Sequence, residues 1–168
     1  MDSLCFSDPA PWPPVPPAAP SLRDAERMLY DLGSCRSEMS AVGLYVYNSV
    51  LTRERFPDVS EAFHRISVVE MHHLGLFARL SLLLGADPRL WSGPPRRLRW
   101  WSPACLSYPR ELTPLLQNAL HGERDTVALY RQQAARVRDP ALSALLERVI
   151  LDEKRHIEVF EALLREKA

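Results

Sequence analysis

The chain has 168 residues, 46% of them hydrophobic and 25% charged, with a formal net charge of zero. This length and composition predict one globular domain with its own core. The balanced charge provides no basic field for nucleic acid, so nucleic-acid binding is not expected. No apolar run is long enough to cross a bilayer, and residues 1–6 lack signal-peptide features, so we expect a cytoplasmic protein without a membrane partner.

The three cysteines, Cys5, Cys35 and Cys105, form no pair at metal-binding or redox spacing. An odd number of cysteines also argues against a disulfide framework. Reduced thiols are therefore the simplest interpretation, and a disulfide scaffold, a zinc ribbon and a fused cysteine-ligated iron domain are excluded.

Residues 1–20 are predicted to be a proline-rich N-terminal arm, because seven of the 15 prolines lie between Pro9 and Pro20. Proline fixes φ and removes a backbone donor, which favours an extended arm over a packed element. An unstructured lead-in is favoured over a docking signal.

Two helices are predicted in the first half of the chain. The first begins at the N-cap Ser21 and continues without proline until Pro57 stops it. Asp58 is the expected N-cap of the second helix, and Glu61 completes a capping box. Apolar residues then recur at helical spacing to about Leu84.

Residues 86–112 show neither helical nor strand periodicity and contain five prolines. Such a long connection is explained if the second and third helices run parallel, because the chain must then cross the length of the bundle. Thr113 caps the third helix and Asp139 caps the fourth. The predicted fold of residues 21–168 is all-α, a four-helix bundle of two antiparallel hairpins joined by a long crossover.

The second and fourth predicted helices each contain a Glu-x-x-His pair: Glu70 with His73, and Glu153 with His156. Three residues turn a helix by about 300°, so both side chains of a pair project from one face and can bind one ion. This spacing alone is weak, since the pair Glu61 and His64 also has it. That third pair falls on the opposite face of its helix and is expected at the surface.

The specific signal is one pattern repeated in both halves of the chain. Glu38 and Tyr45 of the first half correspond to Glu123 and Tyr130 of the second, both at an offset of 85 residues (123 − 38 and 130 − 45). The two Glu-x-x-His pairs are offset by 83 residues (153 − 70 and 156 − 73). Two similar hairpins related by a pseudo-twofold axis would bring six candidate ligands together at mid-bundle: Glu38, Glu70, His73, Glu123, Glu153 and His156.

Four carboxylates in an apolar core are costly unless they are protonated or neutralised. Four glutamates and two neutral imidazoles carry a charge of −4, which two divalent cations cancel. This ligand set is that of di-iron and di-manganese carboxylate bundles. The sequence therefore predicts two divalent metal ions, and it does not choose between iron and manganese.

On these six residues, the two tyrosines and the crossover, residues 21–168 resemble the ferritin-like superfamily, and within it the rubrerythrin, bacterioferritin and manganese catalase branches. The resemblance implies that Glu70 and Glu153 bridge the two metals. It also implies that Glu38 and Glu123 are terminal ligands and that each histidine binds one metal.

Three further residues are expected around the ligands. Tyr45 and Tyr130 are expected to donate hydrogen bonds to ligand carboxylates. The resemblance implies that Asp152 orients the opposite histidine through its second ring nitrogen. The matching residue of the other half is Val69, so these outer contacts are predicted to be asymmetric.

The chain also differs from the families that it resembles. No CxxC pairs follow the bundle, so a rubredoxin-type domain is not expected. A separate electron donor protein is expected instead. The long crossover and the second histidine pair argue against a pure storage cage. Met71 follows Glu70 as a haem-ligating methionine does in bacterioferritins, but packing is the favoured interpretation and haem is not expected.

The crossover interleaves basic and aromatic residues: Arg96, Arg97 and Arg99 with Trp91, Trp100 and Trp101. This composition suits a single-stranded nucleic-acid surface, but a crossover that buries its indoles against the bundle is favoured. His72 and His121 lie off the inner stripes and are expected in solvent.

The favoured hypothesis is a non-haem di-metal oxidoreductase acting on hydrogen peroxide or dioxygen, peroxidase-like or catalase-like. Its reacting centre would comprise Glu38, Glu70, Glu123, Glu153, Tyr45 and Tyr130. The alternatives are iron storage with ferroxidase activity and di-iron hydroxylation of a larger substrate. The apolar outer positions Val68, Met71 and Leu82 indicate a homo-oligomer, with a dimer as the first guess.

Overall fold

The computed structural model describes residues 5–15, 19–93 and 97–167. Five helices account for most of them: α1 Leu22–Gly33, α2 Glu38–Thr52, α3 Pro57–Leu83, α4 Leu112–Ala134 and α5 Pro140–Lys167. Helices α2 and α3 pack as one hairpin, α4 and α5 pack as the other, and α1 lies along α3. The predicted all-α bundle of two hairpins joined by a crossover is confirmed. The division of the chain into arm and bundle domains stays a prediction.

The first predicted helix is two helices, so the prediction of one uninterrupted element was wrong. The chain leaves the helical conformation at Ser34, whose φ is −83° and ψ is 177°, and α2 begins after the N-cap Ser37. Gly33 is required at this break, because a Cβ there would lie 2.6 Å from the backbone nitrogen of Trp91. The crossover therefore packs directly on the end of α1.

The start of α3 also differs from the prediction. Phe56 is the N-cap and Pro57 is the first helical residue, so Pro57 begins a helix rather than ending one. Asp58 forms an ion pair with Lys167 at 2.7 Å, and Glu61 pairs with Arg65 at 2.6 Å instead of completing a capping box.

The second hairpin begins close to the predicted positions. Glu111 caps α4, two residues before the predicted Thr113. Asp139 accepts a hydrogen bond from the backbone N–H of Ala141 at 2.9 Å, as expected for a residue that caps α5.

Two apolar clusters occupy opposite ends of the bundle, and polar side chains lie between them. On α3, Glu70 lies between Ile66 of one cluster and Phe77 of the other. The same order occurs on α5, where Glu153 follows Ile150 and precedes Val159. The fold thus places the polar residues in the middle of an otherwise apolar interior.

Among the described residues, α3 alone is long and apolar enough to cross a membrane by composition, with a mean hydropathy of 1.2 over its best window. The prediction that no apolar run reaches this length was therefore wrong. The core helix of a bundle has the same composition, and α3 buries Glu70 and His73 against other helices.

The crossover contains a two-stranded antiparallel ribbon, Trp91–Ser92 with Arg99–Trp100, and a 3-10 turn at Pro103–Cys105. Trp91 packs against the core, and the indole N–H of Trp101 donates to Ser40 Oγ at 2.9 Å. Trp100 is 61% exposed, so the prediction of buried indoles fails for that residue. Arg97 and Arg99 are exposed, and Arg96 lies outside the described residues.

A disulfide joins Cys35 to Cys105 and ties the crossover to the break between α1 and α2. The expectation of reduced thiols was therefore wrong for this pair, because two cysteines 70 residues apart in sequence meet only through the tertiary fold. Cys5 is free and exposed. The cytoplasmic location stays a prediction.

Candidate metal centre

The six predicted ligands all point into the middle of the bundle, and none is more than 3% exposed. They come from four helices: Glu38 from α2, Glu70 and His73 from α3, Glu123 from α4, and Glu153 and His156 from α5. The helical periodicity that predicted inward stripes is therefore realised in three dimensions.

Candidate ligand atoms form two groups, in each of which all atoms lie within 4.8 Å of one another. One group contains Glu38, Glu70, His73 and Glu153, and the other contains Glu70, Glu123, Glu153 and His156. Glu70 and Glu153 belong to both groups. This is the arrangement that two adjacent ions with two shared carboxylates require.

The shared carboxylates each span the two histidines. Glu70 places Oε2 at 3.0 Å from His73 Nδ1 and Oε1 at 3.0 Å from His156 Nδ1. Glu153 places Oε1 at 3.2 Å from His73 Nδ1 and Oε2 at 3.1 Å from His156 Nδ1. One oxygen of each carboxylate therefore faces each side, which is the geometry of a bridging ligand.

The two tyrosines cross between the halves of the molecule. The hydroxyl of Tyr45 on α2 donates to Glu123 on α4, and the hydroxyl of Tyr130 on α4 donates to Glu38 on α2. The expected hydrogen bonds to ligand carboxylates are thus present. Each bond holds one oxygen of a glutamate, and the second oxygen of Glu123, Oε2, lies 3.7 Å from His156 Nδ1.

The second ring nitrogen of each histidine is also held. His73 Nε2 lies 3.1 Å from Asp152 Oδ2, and His156 Nε2 lies 3.0 Å from the backbone carbonyl of Phe6. A carbonyl only accepts, so Nε2 of His156 carries the hydrogen and Nδ1 keeps its lone pair for a metal. A carboxylate acceptor fixes the same tautomer in His73.

The contact between His156 and Phe6 corrects the expectation of an unstructured lead-in, which is wrong for residues 5–15. The backbone N–H of Asp8 donates to Asp152 Oδ1 at 2.6 Å. Arg148 donates to the carbonyls of Asp8 and Ala10 at 2.7 and 2.8 Å, and pairs with Asp152 at 2.9 Å. The arm lies against the outer side of both histidines.

Aromatic contacts of the arm also cover the outer side of the histidines. The Trp12 ring lies 6.1 Å from the His73 ring, and the Arg148 guanidinium stacks over Trp12 at 4.3 Å. Sequence reasoning missed Phe6, Trp12 and Arg148 as neighbours of the site. Arg148, one helical turn before Asp152 on the inner side of α5, is the signal that could have indicated a buried partner there.

The charges of the centre shift the pKa values of its groups. Burial and the charges of Glu70 and Glu153 hold the pKa of Glu38 well above its usual value, and burial with the same two charges does so for Glu123. Burial also opposes ionisation of Glu70, but the two histidines outweigh it and lower its pKa.

The pKa values of the histidines and of Asp152 shift in opposite directions. Burial lowers the histidine pKa values, but it is outweighed by the hydrogen bond to Asp152 in His73 and by the charge of Glu70 in His156, so both lie well above the usual value. Burial raises the pKa of Asp152, but hydrogen bonds from His73, Asp8 and Arg148 lower it to about 2.

The donor set fits a pair of divalent ions. Glu153 Oε1 is buried without a hydrogen-bond partner, although it lies 3.2 Å from His73 Nδ1. Both Nδ1 atoms face carboxylate oxygens rather than donors, and divalent cations between them would neutralise the charge of the glutamates. Carboxylate oxygens and imidazole nitrogens suit iron and manganese alike.

A cavity of about 540 Å³ opens onto the carboxylates from the side of α2 and α4. Its walls include all four glutamates of the centre together with Tyr45, Ala119 and the disulfide. Neither His73 nor His156 lines this cavity, and none of the arm residues that the structure describes does. Access from solvent and the histidine cover are therefore on different sides of the centre.

The other histidines and the methionine lie outside the centre. Glu61 and His64 are exposed, as are His72 and His121, in agreement with the predicted surface positions. Met71 is 46% exposed.

The match to known families is now decisive. The family model described as Rubrerythrin matches residues 32–164, which include all six candidate ligands. The chain belongs to the rubrerythrin family. No curated protein matches the chain.

Solved structures show the same fold at low identity, as expected for a member of the rubrerythrin family. Rhodobacter capsulatus bacterioferritin is 22% identical over 88% of each chain, with a TM-score of 0.72. The manganese catalase KatB from Anabaena is 16% identical over 95% of this chain and 78% of its own, with a TM-score of 0.78. A ferritin-like diiron-carboxylate protein from Bacillus anthracis is 21% identical over 84% and 96%, with a TM-score of 0.67.

Proposed function

We propose that this protein is a non-haem di-metal oxidoreductase that reduces hydrogen peroxide, with dioxygen as a related substrate. The observation that carries the proposal is the position of Glu70 and Glu153, each of which places one carboxylate oxygen near His73 and the other near His156. The open cavity on the carboxylate side supports it, because a small oxygen species can reach the centre there.

Glu38, Glu70, His73, Glu123, Glu153 and His156 would hold the two ions. When bound, such a pair supplies two-electron exchange with oxygen species. The chain's own groups position the ligands: Tyr45 and Tyr130 hold the two terminal glutamates, and Asp152 and the Phe6 carbonyl hold the histidines. The apolar clusters close the centre toward the two ends of the bundle, so solvent reaches it through the cavity.

The cavity favours one second candidate, oxidation of an organic molecule. Its volume of about 540 Å³ far exceeds what peroxide needs and falls in the range of small-molecule sites. Iron storage with ferroxidase activity, the first alternative from the sequence, stays a candidate, and it requires a large hollow assembly.

A homo-oligomer is part of the proposal. Val68, Met71 and Leu82 on α3 are 37%, 46% and 63% exposed, and exposed apolar side chains that share one helix face support contact with a second copy of the chain. Light scattering gives the assembly size, and only a particle of hundreds of kilodaltons would fit storage.

The deciding experiment measures metal content after purification without added metal, together with peroxide consumption. About two equivalents of metal per chain and peroxide loss that requires a reductant are expected. Two equivalents of manganese with oxygen evolution would instead indicate a catalase. Far more iron than two equivalents would favour storage, and no metal after reconstitution would overturn the proposal.

The chain offers a matched control on the same helix. Glu70→Gln is expected to lower metal content and peroxide consumption at least about tenfold. Glu61→Gln changes the same residue type in the exposed Glu-x-x-His pair and is expected to change neither. Equal behaviour of the two variants would contradict the assignment of Glu70.

A further inference from the structure

The Cys35–Cys105 disulfide lies on the wall of the cavity that leads to the candidate metal centre. Cys35 is in the break between α1 and α2, three positions before Glu38 in the chain. Cys105 ends the 3-10 turn of the crossover. Glu38 and Glu123 line the same cavity, so the sulfur pair and the terminal carboxylates share one solvent-connected space.

The pair is accessible from outside as well. Cys35 is exposed and Cys105 is half-buried, and exposed disulfides are more readily reduced than the structural disulfides that resist thiols. An external thiol can therefore reach a sulfur atom from solvent, and a small oxidant that enters the cavity can reach the same pair. A pair that is repeatedly oxidised and reduced must be accessible to both reactants.

The surrounding contacts hold the crossover in place without the covalent bond. Trp101 donates to Ser40 Oγ on α2, and the Ser34 carbonyl accepts from Ser37 Oγ at 2.7 Å. The backbone of Trp91 packs against Gly33 at the end of α1. Opening the disulfide therefore leaves the two sulfur atoms close together and able to close again.

We propose that Cys35 and Cys105 are the immediate electron donors for peroxide reduction at this centre, an inference that rests on the function proposed above. The two thiols lose two electrons and form the Cys35–Cys105 bond. The peroxide O–O bond breaks, and the two thiol protons and two electrons convert one peroxide into two waters. A small dithiol or dithiol protein then reduces the disulfide by exchange and becomes a disulfide itself.

This role explains how the chain operates without a CxxC electron-transfer domain in its described residues. The third cysteine provides a matched control, because Cys5 lies on the arm and does not line the cavity. Its thiol donates to the carbonyl of Ser7 at 2.6 Å, on the histidine side of the centre.

A single-turnover experiment tests the proposal directly. The protein is reduced, freed of reductant without oxygen, loaded with metal and mixed with one equivalent of peroxide. Two thiols per chain should disappear, and peptide mass analysis should find them joined as Cys35–Cys105. The metal-free protein should form this bond at least about tenfold more slowly. Equal rates with and without metal, or peroxide loss with all thiols retained, would overturn the proposal.

Steady-state rates separate this proposal from the function on which it rests. With dithiothreitol as reductant, Cys35→Ser and Cys105→Ser should lower peroxide consumption at least about tenfold, and Cys5→Ser should leave it unchanged. With ascorbate, a non-thiol donor, Cys5→Ser should match the unsubstituted protein, and Cys35→Ser and Cys105→Ser should lose much less activity than they do with dithiothreitol, which also shows that they fold. Full activity of Cys35→Ser with dithiothreitol would overturn the thiol role alone. No peroxide consumption with either donor would overturn both.

Discussion

The two halves of the centre use the same inner groups but hold their histidines differently. His73 of the first half is hydrogen-bonded to the Asp152 carboxylate, whereas His156 of the second half is hydrogen-bonded to the Phe6 backbone carbonyl. The position that matches Asp152 is Val69, which offers no acceptor, and the arm supplies one instead. Ligand symmetry therefore does not imply equal metal sites, because a charged acceptor makes its histidine a stronger ligand than a neutral one does.

The largest expected effect is that of pH, and it acts on both halves alike. The pKa values of both histidines are raised in the metal-free protein, so each carries a proton that metal binding must release. Affinity should therefore rise with pH, by up to about tenfold per unit for each metal, as long as the pH stays below the raised pKa values of the histidines. Calorimetric titration in two buffers of different ionisation enthalpy measures the released protons, and a pH-independent affinity would contradict this account.

Asp152→Ala should have the next largest effect, because it disturbs both halves at once. His73 loses its acceptor, which should lower metal affinity about 10–100-fold. Buried Arg148 loses its counter-ion and the arm loses its anchor, so the free energy of unfolding should fall by about 3 kcal/mol. Denaturant unfolding and metal titration measure the two effects, and Asp152→Asn, which keeps an acceptor, should lower affinity less.

Removal of residues 1–15 should affect the second half more than the first, which loses only the Trp12 ring beside His73 and the Asp8 donor to Asp152. His156 loses the Phe6 carbonyl, while the hydrogen bond between His73 and Asp152 remains. One of the two metals should therefore bind about tenfold more weakly, and the titration should separate into two unequal steps. Removal of residues 1–4 is the control, since every contact of the arm described above remains. An equal loss at both sites would contradict the asymmetry.

The smallest expected effects come from the tyrosines, where the halves are most alike. Tyr45→Phe and Tyr130→Phe each remove one hydrogen bond to a terminal glutamate. Each should weaken metal binding by about 1 kcal/mol, and the two losses should be similar. Titration of the single and double variants measures this, and a strongly unequal pair would show that the asymmetry extends to the inner groups.

The inner groups could be predicted because helical periodicity links sequence to position. Glu70 and His73 must share a face if α3 is a helix, and the repeat of the pattern in α5 identifies the partner face. The tyrosines follow the same rule. These predictions needed only the period of the helix and the plan of the bundle.

The outer groups could not be predicted because they depend on contacts that no period encodes. Phe6 acts through its backbone carbonyl, which every residue type has, and its partner is 150 positions away. The break after Gly33 contains no proline and follows from the close approach of the crossover. The pairing of Cys35 with Cys105 likewise depends on the tertiary contact between the crossover and the break after α1.

The long separation between Phe6 and His156 also bears on biosynthesis. A ribosome completes the N-terminal arm well before it makes α5. The Phe6 carbonyl can therefore contact the His156 imidazole only after almost the whole chain has been synthesised. The hydrogen bonds at the second ring nitrogens of both histidines involve α5, because Asp152 contacts His73 and His156 itself contacts Phe6 of the arm. Metal acquisition is therefore expected to follow synthesis of α5, and a product truncated before α5 would lack both hydrogen bonds.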